Sequence, residues 1–358
     1  MIIKKKKTRF LQKEVIAGPP LLMVAVLAVY LAVGWFLVTH VYQRTLDKSI
    51  VSFGRNFTDP DSYHNLDLRE AAKVTYSSPA ILSVKNLPNT KGLRHQIISF
   101  RVPEDNLVEY GLMSLPAAPA PKNGYPLIIL CHAYYNPYNY QTDRGYINDM
   151  DFYTQHGFAV IKPDFRGQGL SRNQGQPESA YYSMAYNIDI MSLIAATKST
   201  TYLNKDAINL WGHSMGAYIA FRAAVLSPDV KSAILLSGPV GRFDEMYKDY
   251  SAPSDRANPI AAKIRAGMLL RHGTPLVDPS YWDHASPINF LDDAKARFQI
   301  HVGTADKVVP PKFSAELDLA LTSLGRPHQY FVYAKAKHNL VKQRPLIWDR
   351  SLGVLQKD

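Results

Sequence analysis

The chain has 358 residues, 46% of them hydrophobic, and a formal net charge of +11. That length holds one large α/β domain plus attachments, and the hydrophobic share is ordinary for a globular core. Six of the positive charges, on Lys4, Lys5, Lys6, Lys7, Arg9 and Lys13, sit in an N-terminal tail. The modest remainder shows no basic stripe interleaved with aromatics, so nucleic-acid binding is not expected. With one cysteine, Cys131, no intrachain disulfide is available. There is no Cys/His cluster and no dinucleotide fingerprint, so neither a metal nor another cofactor is expected.

The basic tail covers residues 1–14 and is expected to be cytosolic. Residues 15–39 follow as a membrane anchor: Leu21 to Val38 carries no charge, and about 18 apolar residues suffice to cross a bilayer as a helix. The bulky end Trp35-Phe36-Leu37-Val38 replaces the small-x-small site of a cleaved signal peptide, which favours a retained N-terminal transmembrane helix. Lysines cluster before this span and thin out after it, placing the rest of the chain outside the cytosol. Residues 40–93 are polar and mixed, with turn signals at Asp59-Pro60, Ser78-Pro79 and Pro88-Asn89. They read as a stalk with one short helix near Leu66 to Thr75 and an extended piece docked on the domain. Asn56-Phe57-Thr58 is a glycosylation sequon, meaningful only in a eukaryotic secretory route.

Residues 94–358 carry an alternation of strands and helices. The apolar run Leu127 to Cys131 is a strand, followed by the loop His132-Ala133-Tyr134-Tyr135. Further on, the strand Ala207 to Trp211 runs into Gly212-His213-Ser214-Met215-Gly216 and then the helical stretch Ala217 to Leu226. Strand, G-x-S-x-G and helix are the context of a nucleophile elbow. Two glycines permit a turn tight enough to lift the serine hydroxyl above the sheet edge, and the helix aims its first amides at a developing negative charge. Ser214 is therefore the candidate nucleophile.

After the strand Ser232 to Ser237 comes an insertion over about residues 241–285, expected as a small cap above the site. It carries Arg242, Arg256, Arg265 and Arg271, so it does not read as a strongly apolar lid for long acyl chains. The strand Phe298 to Val302 leads into a loop bearing Asp306, the candidate acid; the strand Gln329 to Tyr333 leads into a loop bearing His338, the candidate base. Asp292 and Asp293 precede their strand, His301 lies within one and His328 at the start of another, so position sets them aside. The order Ser, Asp, His is that of the α/β-hydrolase architecture.

From about Arg94 onward the chain resembles an α/β-hydrolase, and within that superfamily the prolyl-oligopeptidase-type serine hydrolases. Beyond the elbow, the likeness rests on Asp164-Phe165-Arg166-Gly167-Gln168-Gly169-Leu170-Ser171, a D-x-R-G-x-G-x-S turn, and on Ser286-Pro287-Ile288-Asn289-Phe290 ahead of Gly303-Thr304-Ala305-Asp306-Lys307-Val308-Val309-Pro310. It implies a mostly parallel central sheet with helices on both faces. For the oxyanion hole it implies the Met215 amide together with an amide of Ala133 or Tyr134, where Ala133 replaces the family's usual glycine. Related acyl esterases share these motifs, and no propeller domain stands before residue 94, so a small acyl ester is as fitting a substrate as a peptide. The expected function is a membrane-anchored serine hydrolase cleaving an ester or peptide bond through an acyl-enzyme; the alternatives are a strict peptidase or an inactive hydrolase-fold binding module.

Overall fold

A computed structural model describes residues 65–250, 252 and 258–356. The basic tail, the expected membrane span and the sequon at Asn56 lie outside the described residues. Among those described, no helix is long and apolar enough to cross a membrane.

Nine strands form one sheet: β1 (Leu82–Asn86), β2 (Arg94–Val102), β3 (Leu107–Leu115), β4 (Tyr125–Cys131), β5 (Ala159–Pro163), β6 (Leu203–His213), β7 (Val230–Leu236), β8 (Arg297–Gly303) and β9 (His328–Tyr333). Their order is β1-β2-β3-β5-β4-β6-β7-β8-β9. The run from β5 to β9 is parallel, while β1, β2 and β3 pair antiparallel at one side. Parallel strands buried on both faces need continuous apolar sequence. In β4, Leu127, Ile129 and Cys131 enter one core and Ile128 and Leu130 the other.

Helices α3 (Ala185–Lys198), α4 (Met215–Leu226) and α8 (Lys312–Ser323) cover the first face through residues such as Leu193, Phe221 and Leu317. Helices α2 (Ile147–Gln155) and α9 (Arg344–Leu355) cover the second through Met150, Tyr153 and Ile347. This is the α/β-hydrolase fold. Because all the central strands run the same way, the loops after β4, β6, β7, β8 and β9 emerge at one sheet edge, where ligand sites of open α/β sheets form.

Residues 65–93, expected as the end of a stalk, are part of this domain. Leu66, Leu68 and Ile81 are buried in the first core, and β1 pairs with β2. The helix expected near Leu66 to Thr75 is one turn, α1 (Leu68–Ala71), capped by the Asp67 side chain on the Arg69 amide. The β-branched pair Val74-Thr75 has little tendency to prolong it.

The segment after β7 carries α5 (Phe243–Asp249), α6 (Pro259–His272) and α7 (Pro279–Ala285). It is tied down by aromatic packing, with Phe243 and Trp282 at 4.6 Å between ring centroids and Tyr182 edge-on to both. Two of its arginines are placed by such contacts: Arg242 meets Asp244 and Asp283, each at 3.3 Å, and Arg265 lies over the rings of Tyr182 and Tyr247. Arg256 is outside the described residues.

Candidate active site

Ser214 sits between β6 and α4 with φ +55° and ψ −120°, a conformation that L side chains rarely adopt and that persists only where the surroundings enforce it. Here the enforcement is steric. A Cβ on Gly216 would lie 2.0 Å from the Cys131 carbonyl oxygen, and one on Gly212 would lie 2.3 Å from the Gly216 carbonyl oxygen. The first turn of α4 is thus pressed onto the end of β4 more closely than any side chain allows. The Ser214 amide is anchored on the Leu236 carbonyl at 2.8 Å.

The three residues singled out by position converge. His338 Nε2 lies 2.9 Å from Ser214 Oγ, and His338 Nδ1 lies 2.8 Å from Asp306 Oδ2. The other Asp306 oxygen accepts from the Val308 amide at 2.8 Å and the Val309 amide at 3.0 Å. The carboxylate is fully buried and the imidazole 14% exposed. Asp306 must accept the proton of Nδ1, which leaves Nε2 bare to accept from the serine hydroxyl. Chemically, the set can move a proton from Ser214 to His338 while the carboxylate stabilises the imidazolium.

The residues set aside on position are engaged elsewhere. His301 is buried in β8 between the Tyr333 hydroxyl and the Gln299 side chain, and burial above all pushes its pKa down to about 3. His328 contacts Asp318 at 2.9 Å, and Asp292 and Asp293 are exposed ahead of β8.

Two backbone amides are needed where an oxyanion would form. Met215 opens α4, whose first turn is uncapped because the Ser214 hydroxyl faces His338 instead. Of the two loop amides expected as its partner, that of Ala133 is already used: it donates to the Tyr146 hydroxyl oxygen at 3.1 Å. The Tyr134 amide has no protein acceptor among the described residues. The loop is braced by His132, whose Nδ1 donates to the Ala133 carbonyl at 2.7 Å and whose ring stacks on Tyr140.

Beside these groups opens a cavity of about 390 Å³, lined among others by Tyr134, Tyr135, His213, Asn339 and Arg344. It is large enough for a small substrate. Arg344 reaches Asp149 at 3.1 Å and lies over the Trp211 ring at 5.0 Å. Among the described residues no cluster of three His, Cys, Asp or Glu side chains is placed to hold a metal.

Sequence reasoning did not find Tyr146 or Arg344, since neither belongs to a motif, and it read His213 only as the variable residue of the elbow.

The sequence profile of the alpha/beta hydrolase fold matches residues 126–271. Among curated proteins, an uncharacterised 31.7 kDa protein of Escherichia coli, from the traX-finO intergenic region, is 31% identical over 137 residues, 38% of this chain and 40% of that one. The chain therefore aligns with less than half the length of this relative. Among solved structures, an acetyl xylan esterase from Paenibacillus sp. R4 superposes with a TM-score of 0.59 at 18% identity, over 83% of this chain and 95% of the other. A puromycin-hydrolysing peptidase of Mycobacterium tuberculosis superposes at 0.56 and 16% identity, over 75% of this chain and 41% of the other. Dipeptidyl peptidase 4 of Porphyromonas gingivalis gives 0.55 and 18%, over 81% and 37%. At such identities the likenesses establish the fold.

Proposed function

We propose that the chain is a serine hydrolase that cleaves an ester or amide bond through an acyl-enzyme. The observation that carries this reading is the unbroken path Ser214 Oγ, His338 Nε2, His338 Nδ1, Asp306 Oδ2, every step at hydrogen-bond distance, on a serine held in a strained turn at a helix N-terminus. Ser214 Oγ attacks the substrate carbonyl carbon and gives its proton to His338 Nε2. The carbonyl oxygen becomes an oxyanion held by the amides of Met215 and Tyr134. Collapse expels the alcohol or amine, which takes the proton from His338, and the acyl group stays on Ser214. Water then repeats the sequence, releasing the carboxylic acid.

A small acyl ester is the favoured substrate class. In support, the esterase likeness spans nearly the whole of that enzyme, whereas the peptidase likenesses span well under half of theirs. A fluorophosphonate should phosphonylate Ser214, because the activation that attacks carbonyl carbon also attacks phosphorus. Intact mass and peptide mapping read the adduct. A folded sample that takes no adduct, or takes it elsewhere, would overturn the assignment. Unlabelled protein screened on short and long acyl esters beside aminoacyl amides then separates esterase from peptidase.

The basic tail and uncharged span before residue 40 support an anchored enzyme with its catalytic domain outside the cytosol. Protease added outside intact cells or spheroplasts should degrade the domain and leave a short protected fragment beginning near Met1. A domain that survives intact, or a mature N-terminus beyond Val38, would refute this arrangement.

A further inference from the structure

Between the loop that carries the oxyanion donor and the loop that carries the base runs a chain of hydrogen bonds through two side chains outside the candidate triad. Tyr146 precedes α2 in the left-handed conformation, φ +60° and ψ 13°, a setting that L side chains adopt only where the surroundings enforce it. Its hydroxyl accepts from the Ala133 amide at 3.1 Å and donates to His213 Nδ1 at 2.7 Å. His213 Nε2 in turn faces the main-chain carbonyl of His338 at 3.3 Å.

Proton roles along this chain follow from the acceptors. A carbonyl only accepts, so His213 Nε2 carries the hydrogen; Nδ1 is then bare and accepts from the tyrosine hydroxyl, leaving the tyrosine oxygen free to accept from the Ala133 amide. A protonated His213 would present N–H to the Tyr146 oxygen and break the order. Burial first, then Arg344 and His338, holds the pKa of His213 well below that of an ordinary imidazole, so it stays neutral. Arg344 lies over the faces of Tyr146 and Trp211, and the Tyr146 ring stands edge-on to Trp211.

We propose that Tyr146 and His213 are positioning residues that lock the oxyanion loop to the base loop: they draw the Ala133 amide away from the reacting carbonyl so that the Tyr134 amide faces it, and they hold the His338 backbone at the distance Ser214 requires. Both line the cavity beside the site, but neither belongs to the candidate triad or donates an oxyanion amide. The alanine in place of the family's glycine fits this arrangement, since its amide is bound to Tyr146 and does not have to meet the oxyanion. This inference rests on the serine-hydrolase reading and adds to it the means by which the two loops keep register.

The test uses the full chain, with a fluorophosphonate and p-nitrophenyl acetate as probes. Tyr146→Phe keeps the ring and removes both hydrogen bonds. It should lower the maximal rate of phosphonylation and kcat on the ester about 10- to 100-fold, with the probe's KI and the ester's KM within about twofold, because small misplacements of reacting groups act on the chemical step. His213→Leu should do the same, and the double variant should be no worse than the weaker single within about threefold, since the two act as one unit. His213→Asn, which keeps an acceptor near the position of Nδ1, should recover part of the rate. Near-UV circular dichroism checks the fold of each, and Tyr146→Phe alone suffices if His213→Leu does not fold. A Tyr146→Phe rate within threefold of the parent, a loss confined to KM, or multiplying losses in the double variant would overturn the proposal while leaving the hydrolase reading intact. An unlabelled Ser214 in the unmodified chain would remove both.

Discussion

Replacing Asp306 with Asn is expected to leave the protein folded and to lower turnover about 10³- to 10⁴-fold, the scale of tautomer loss in such triads. The physical reason is local. One carboxylate oxygen accepts from the Val308 and Val309 amides and the other from His338 Nδ1. An asparagine satisfies these two amides only by turning its carbonyl oxygen toward them, which points its NH₂ at Nδ1. His338 must then carry its proton on Nε2, where it faces Ser214 with a donor and cannot take the serine proton. Asp292→Asn and Asp293→Asn, both on the exposed turn ahead of β8, should stay within about twofold of the parent. Measured kcat on p-nitrophenyl acetate, beside a melting curve for each variant, decides the matter. Near-full activity in Asp306→Asn, with a large loss at either neighbour, would mean that the acid is another residue.

Why the positions of Ser214, Asp306 and His338 could be read from sequence, and that of Tyr146 could not, follows from how each is fixed. Parallel strands buried on both faces favour apolar runs, so β4, β7 and the end of β6 announce themselves, while β8 shows itself by Phe298, Ile300 and Val302 alternating with Gln299 and His301, and the loops after them inherit a known edge of the sheet. Ser214 needs glycines on both sides because a Cβ would strike backbone there, which leaves a spaced motif in the sequence. Tyr146 lies 13 residues beyond Ala133 in an irregular loop, and its role arises only when that loop folds back over β6 to meet His213. No local pattern records such a contact. Residues 65–93 read in sequence as a short helix and an extended piece docked on the domain; that Leu66, Leu68 and Ile81 enter the core could not be read, because the apolar positions there set no period and each finds cover in a core built by other segments. The choice between the Ala133 and Tyr134 amides was open in sequence for the same cause, since it depends on where the Tyr146 hydroxyl comes to rest.

Arg166, in the D-x-R-G-x-G-x-S turn, lies in surroundings that predict a large effect on stability. It is 2% exposed; its Nε meets both oxygens of Asp189 at 3.0 and 3.1 Å, and its Nη2 meets Asp105 at 2.6 Å. Glu109 is fully buried, and burial first, then Asp189, raises its pKa well above the ordinary glutamate value. Burial likewise pushes Glu178 up to about 7 and raises Asp105, and in all three Arg166 is the charge that opposes the rise. Arg166→Met removes that cation from among buried acids. At pH 8 the expected loss is about 3 to 5 kcal/mol, the scale of breaking a buried ion pair from one side, which for a domain of this size lowers Tm by on the order of 10 °C. The sign with pH follows from linkage. An acid whose folded pKa lies above its unfolded value contributes stability that is full below the unfolded pKa and is lost as pH rises through the folded one. Without Arg166 the folded values of Asp105, Glu109 and Glu178 move further up, so the variant's deficit should be small near pH 5 and grow steadily toward pH 8. Arg166→Lys should recover only part of it, because one ammonium cannot span Asp189 and Asp105 as the planar guanidinium does. Melting temperatures of parent and variants at pH 5 and pH 8 make the comparison, and fluorophosphonate labelling of Ser214 well below Tm should stay within a few-fold of the parent. A deficit equal at both pH values, or larger at pH 5, would mean that Arg166 does not act by neutralising this acid cluster.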